Sequence, residues 1–458
     1  MRTLFKGGSV VSGSGAKRAD LLIEDEKVIA VGRNLKASAD RTVDVEGCLL
    51  FPGFIDGHTH FDLDVCNTTT ADDFYTGSRA ALRGGTTTVI DFACPNKGES
   101  LRYGLEAWHK KADSRTFCDY GFHMTIDDWN EDIRAELREM FAAGISSFKM
   151  YMTYPAMMVG DQNIYRALKE LRRLGGICGV HCENADIIDA MIAEKKAAGE
   201  LSPASHPLTR PPYLEAEAVS RLLRIAQAAD CPVVIVHLTN EEALREVEHA
   251  RRRGQKVYVE TCPQYLLLDE SVYFNEDYSS AARYVCAPPI RAKGHQAALW
   301  NALRRGEIQT VATDHCSFTL EQKEAGRGDF TKIPGGLPGV ETRGELLYSA
   351  GVAKRRISIG RMCKALSENP AKLYGLFPRK GTLKPGSDAD IVIYDPAAGH
   401  TIRAEDCAAN VDYNPYEGFV TAGSIREVWL RGRKAVEGGT VLDETPQGKY
   451  MARGKCAL

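Results

Sequence analysis

Nothing in this chain is long and apolar enough to span a bilayer. No stretch approaches the ~18 consecutive apolar residues of a membrane helix. The opening MRTLFKGGSV lacks the apolar core of a secretory signal. Neither sign of charge is in excess: 58 Lys and Arg face 61 Asp and Glu, a formal net charge of −3. That balance speaks against a surface built for nucleic acid or anionic lipid. Paired cysteines are also missing. There are 13, an odd number with no C-x-x-C, as expected of reduced thiols in a cytoplasmic protein rather than a disulfide framework. No G-x-G-x-x-G follows the first strand, and no G-x-x-x-x-G-K-[ST] occurs anywhere, so dinucleotide and P-loop readings fall away.

What remains is a chain of 458 residues, 44% hydrophobic, enough for a large core. Both ends read as short strands and turns. Leu21-Leu22-Ile23 and Val28-Ile29-Ala30-Val31 flank a polar turn, and Asp390-Ile391-Val392-Ile393-Tyr394 follows Pro385-Gly386-Ser387-Asp388. The middle holds eight apolar runs of strand length, at 49–60, 86–93, 120–126, 146–153, 177–183, 233–238, 257–261 and 308–314. Most are near-continuous in apolar residues, as parallel strands covered on both faces are. Helical segments lie between them, among them 72–82 and 131–143, each stopped by glycine. The pattern predicts an α/β fold: a (β/α)₈ TIM-like barrel over 51–377. Residues 1–50 and 378–440 would form a small β-sandwich, with 441–458 as a C-terminal tail.

Active sites of such barrels lie at the C-terminal ends of the strands. Those ends carry His58-Thr59-His60, Lys149, His181, His237 and Asp314. Alternate residues of a strand share a face, so His58 and His60 point the same way. A single histidine at a strand end is usually a packed core or rim residue; two forming H-x-H with two more on other strands are hard to explain by packing. Of the 11 histidines, His109, His249 and His295 fall in helical stretches, His123 lies within the third strand as a core residue or one behind the ligands, and His315 should face away from Asp314.

Lys149 is the odd member. An ammonium has no acceptor and cannot ligate a cation. Burial near metal ions favours the neutral amine, which adds carbon dioxide to give a bridging, carboxylate-like carbamate. Histidine and carboxylate donors suit Zn²⁺ or a similar divalent ion. Two such ions lower the pKa of bound water towards roughly 7, which points to hydrolysis of an amide or ester.

The chain resembles the cyclic amidohydrolases, specifically the D-hydantoinase and dihydropyrimidinase branch. The resemblance runs through Pro52-Gly53-Phe54-Ile55-Asp56-Gly57-His58-Thr59-His60, Ser147-Phe148-Lys149-Met150-Tyr151, His181-Cys182-Glu183-Asn184, Val236-His237-Leu238, Glu260-Thr261-Cys262-Pro263 and Thr313-Asp314-His315-Cys316. It continues to Gly381-Thr382-Leu383-Lys384-Pro385-Gly386. It implies that His58, His60 and Asp314 hold one metal, His181 and His237 the second, and carbamylated Lys149 bridges them. Asp314 would also carry the proton, and Tyr154 would bind the oxyanion. Substrate contacts would come from backbone groups at Ala287, where relatives carry Ser, and Gly335, where they carry Asn. A homotetramer hydrolysing a small cyclic amide is the implied whole. Allantoinase- or dihydroorotase-like activity is the alternative, although His60 is followed by Phe61-Asp62 and not by the arginine a carboxylate substrate needs. A non-catalytic scaffold of this type would have lost ligands, and all six are here.

Overall fold

The computed structural model describes residues 1–458. Eight strands form the central sheet: β1 (Phe54–Thr59), β2 (Thr86–Ala93), β3 (Asp119–Thr125), β4 (Ser147–Tyr151), β5 (Ile177–His181), β6 (Val233–Ile235), β7 (Val257–Thr261) and β8 (Thr310–Val311). Each pairs in parallel with its sequence neighbour. A bridge between Thr59 and His315, with the His60 N–H donating to the His315 carbonyl at 2.8 Å, closes the ring into a barrel. Every residue of β2, β3 and β4 is buried, as their apolar composition demands.

The covering helices are amphipathic. Asp161–Leu174 buries Ile164, Ala167, Leu168 and Leu171 on one stripe and ends where Gly175 turns left-handed at φ 81°. Phe74–Arg83 starts two residues later than expected, because Asp73 caps it by accepting from the N–H groups of Tyr75 and Thr76.

One predicted strand is divided and several are shorter than expected. The 49–60 run is two strands in two sheets. Leu49–Pro52 pairs with Ile391–Asp395 and Ser9–Ser12 at the periphery, and β1 then enters the barrel. Gly53 makes the passage, where a Cβ would lie 2.1 Å from the Thr87 hydroxyl. The 233–238 and 308–314 runs shrink to β6 and β8, so His237 and Asp314 stand beyond their strands.

Both termini build the β unit. Lys27–Gly32, Asp20–Glu24, Arg2–Lys6 and Arg41–Asp44 form one sheet. Seven strands from Thr440–Val441 to Gly15–Arg18 form the other, with Leu49–Pro52 inside it. Phe5, Ile23, Leu50, Ile391, Ile393 and Trp429 share the core between them. At the barrel's N-terminal end, Lys380 reaches Asp119 at 2.5 Å, Asp390 at 2.6 Å and Asp388 at 3.2 Å, all buried. These carboxylates hold its pKa up against burial. The 441–458 segment lies across the same end. The Met451 N–H donates to the Tyr120 carbonyl at 2.7 Å, and buried Arg453 donates to the Ser147 hydroxyl and the Phe122 carbonyl.

Candidate functional site

Strand ends and the turns after them bring the predicted residues to one mouth. His58 lies in β1 and His60 just past it, Lys149 in mid-β4, and His181 closes β5. His237, Asp314 and Tyr154 lie in turns beyond β6, β8 and β4, with φ of 38°, 53° and 65°. Left-handed backbone at a non-glycine residue costs of order 1–3 kcal/mol and persists where surrounding structure demands it. Here it aims three side chains inward.

The six candidate ligands are gathered. The Asp314 Oδ1 lies 3.1 Å from His58 Nε2 and 3.2 Å from His60 Nε2. The His181 and His237 rings are 4.5 Å apart, and His58 and His237 5.4 Å. Lys149 is buried with no ion pair, its Nζ about 5 Å from the Phe92 and Tyr151 rings. Burial lowers its pKa against the pull of Asp314 and Glu260, favouring the amine. Burial alone would raise the Asp314 carboxyl, but His58 and His60 hold it well below the usual range, so it is an ionised acceptor. Burial pushes the Tyr154 phenol up, which keeps its O–H as a donor.

The donor set fits a divalent cation. His58, His237 and Asp314 each present one ligand atom, all within 4.8 Å of one another. His60 Nδ1 and His237 Nδ1 are buried with no hydrogen-bond partner, and such groups are rare unless a ligand takes them; His58 Nε2 faces Asp314, itself a candidate ligand.

A second layer went unread in the sequence. The Glu260 Oε1 accepts from His58 Nδ1 at 2.6 Å, leaving Nε2 free towards the centre. Glu183 accepts from His181 Nε2 at 2.7 Å and from Arg210 at 2.8 Å, and the Arg210 guanidinium sits 5.9 Å over the Tyr154 ring. A carboxylate inside an otherwise apolar buried strand was the available signal for Glu260; Arg210 gave none. His123 and His315 stay out of the mouth, as expected. His123 bonds the Gly57 carbonyl and the Ser147 hydroxyl, and His315 bonds Asp72.

A cavity of about 390 Å³ opens over the donors. Ala287, Gly335 and Tyr154 line it, and Leu63, Val65, Met157, Ile192, Phe330 and Ile333 make its apolar wall. Ala287 and Gly335 are partly exposed between buried neighbours, and the N–H and C=O of each take no partner within the chain. The arrangement suits a small ring with an amide edge and an apolar substituent.

Barrel and donor set together define a class, the metal-dependent hydrolases built on a (β/α)₈ frame. The chain belongs to the amidohydrolase family, whose model matches residues 49–435. It is 43% identical over 458 residues to a D-hydantoinase of Geobacillus stearothermophilus, covering 99% of this chain and 97% of that one. A D-hydantoinase of Streptomyces coelicolor is 42% identical, covering 99% and 98%. The crystal structure of a dihydropyrimidinase from Brevibacillus agri superposes with a TM-score of 0.98 at 41% identity, covering 100% of both chains. The family implies divalent metal ions, and the donors described above are suited to hold them.

Proposed function

We propose that this protein opens the cyclic amide bond of hydantoins or 5,6-dihydropyrimidines to give N-carbamoyl amino acids. The observation that carries the reading is the convergence of six candidate ligands under a cavity lined by free backbone amides, in a chain so similar to D-hydantoinases. His58, His60 and Asp314 would hold one divalent ion, His181 and His237 a second, and Lys149, carbamylated, would bridge them; zinc is the ion we propose. Such ions supply Lewis acidity and an activated water at neutral pH.

The residues do the rest. Backbone groups of Ala287 and Gly335 pair with the imide or ureide edge and hold the ring in register. Water adds to the ring carbonyl carbon while the Asp314 carboxylate receives its proton. The Tyr154 O–H donates to the oxygen that becomes negative. The carbon–nitrogen bond breaks as Asp314 passes that proton to the leaving nitrogen, so the products are a carboxylate and a ureido group. The resemblance further supports a homotetramer, and the 13 free cysteines support a cytoplasmic protein.

Purified protein assayed on dihydrouracil, both enantiomers of 5-substituted hydantoins, and allantoin tests the reading. Ring opening, about two divalent ions per chain, and loss of activity on chelation are expected. Intact mass should show carbon dioxide on Lys149. Metal-loaded protein that opens none of these rings would overturn the reading, and allantoin as the preferred substrate would replace it with the allantoinase alternative.

A further inference from the structure

The two residues with free backbone groups are framed by neighbours that are tied down. The Val285 carbonyl accepts from the Gly336 N–H at 2.9 Å. The Cys286 carbonyl accepts from His206 Nε2 at 2.8 Å, and the Pro288 carbonyl from the Tyr265 hydroxyl at 2.8 Å. Three carbonyls converge on one side chain. Lys323 Nζ donates to Pro334 at 2.8 Å, Gly336 at 3.0 Å and Val285 at 3.1 Å.

Lys323 comes from the short helix Leu320–Glu324 and is 1% exposed. It makes no ion pair. Its three N–H donors match three carbonyls, two from the loop around Gly335 and one from the loop around Ala287. An ammonium buried without a counter-ion is an expensive way to fasten two loops. What it provides in return is direction. A trans peptide unit is planar, with C=O and N–H pointing opposite ways. The Pro334 carbonyl turned to Lys323 therefore sends the Gly335 N–H away from Lys323, on the cavity side. The Cys286 carbonyl held by His206 fixes the plane of the peptide that carries the Ala287 N–H.

We propose that Lys323 is a positioning residue for substrate recognition. By gathering the carbonyls of Val285, Pro334 and Gly336, it ties the loop around Gly335 to the loop around Ala287 and aims the free Gly335 amide at a carbonyl group of the bound ring. The inference rests on reading this cavity as a cyclic-amide site. It adds a residue that lines no part of the cavity and touches neither substrate nor candidate metal ligand.

The ammonium itself should matter. Burial lowers the Lys323 pKa to about 8. The ionisable groups acting on it are the thiols of Cys286, Cys316 and, from the loop over the mouth, Cys66. Burial raises the first two above its range. His206 is neutral, its pKa lowered by burial to about 3. On its own helix, Glu324 turns out to Arg327 and Ser279, and Glu321 is exposed. A neutral amine has two donors for three carbonyls, so one loop loosens as pH rises through about 8.

The test compares Lys323→Met with wild type on a 5-substituted hydantoin, reading KM, kcat, metal content and Tm. KM should rise about tenfold or more while kcat stays within about threefold and metal content is unchanged. Lys323→Gln, which keeps two donors, should fall between. Wild-type KM should climb above pH 8 and the Met variant's should not. A variant with lower Tm and unchanged KM would make Lys323 merely structural and overturn the proposal. If the Met variant does not fold, the wild-type profile decides, and a KM flat from pH 7 to about 9.5 overturns it. Wild type inactive on every cyclic amide would overturn the functional reading and this inference with it.

Discussion

The two ends of the barrel bury polar groups in opposite ways. At the N-terminal end, Lys380 sits among Asp119, Asp390 and Asp388, and Arg431 pairs with Asp119. Lys380 and Arg431 there meet carboxylates, and these pairs join the β unit to the barrel. At the other end His60 Nδ1, His237 Nδ1 and Glu260 Oε2 are buried with no hydrogen-bond partner. The closed end is tied by ion pairs to the β unit, and the open end gathers donors suited to a cation. Barrels of this kind separate stability from catalysis along the same axis. Substitutions at the two ends should therefore fail differently, one set in stability and the other in rate.

The largest separation is expected at Asp314. Asp314→Asn removes both the proton carrier and a candidate ligand. The kcat should drop about 10⁴-fold, while the unfolding free energy of chelator-treated protein moves by under about 1 kcal/mol. A drop below about tenfold would remove Asp314 from the proposed chemistry. Lys380→Met should do the reverse. It leaves buried carboxylates facing one another, a loss of about 3–5 kcal/mol by denaturant titration, with kcat of the folded fraction within about twofold. Comparable losses of rate and stability in either variant would break the division. Tyr154→Phe should cost about 10²–10³ in kcat, the worth of one oxyanion donor, with metal content intact by elemental analysis. Gly335→Asn and Ala287→Ser should be mildest, each changing kcat/KM by less than about tenfold, roughly 1.4 kcal/mol. A Cβ on Gly335 meets nothing nearer than the Cys286 Cα at 4.0 Å, and any residue supplies the same amide. A gain of several orders of magnitude on hydantoins would instead mark these positions as specialised for another ring.

The open end was far more legible in the sequence than the closed one. His58 and His60 could be placed because alternation along a strand is a local rule, and His181, His237 and Asp314 because strand ends can be counted. The left-handed turns that carry His237 and Asp314 past their strands were not legible, since neither residue is a glycine and the demand for that backbone comes from the assembled site. Glu183 and Glu260 were visible as letters but not as partners of His181 and His58. Nothing in the sequence singled out Lys323 or Lys380, which the fold buries. The division of 49–60 between two sheets was signalled only by Pro52-Gly53, with buried residues on both sides of it.

That division also sets a timetable. Leu50 takes its place beside Ile393, about 340 residues further along the chain. At 5–20 residues per second of synthesis, Ser9–Ser12, Gly15–Arg18 and Leu49–Pro52 wait roughly 20–70 s for the partners that complete their sheet. Through that interval the barrel strands emerge in the order in which they pair, each beside a neighbour already made. The first fifty residues meanwhile expose strand edges to other chains. Aggregation during expression should therefore begin at the N-terminal strands, and slower synthesis lengthens the exposure.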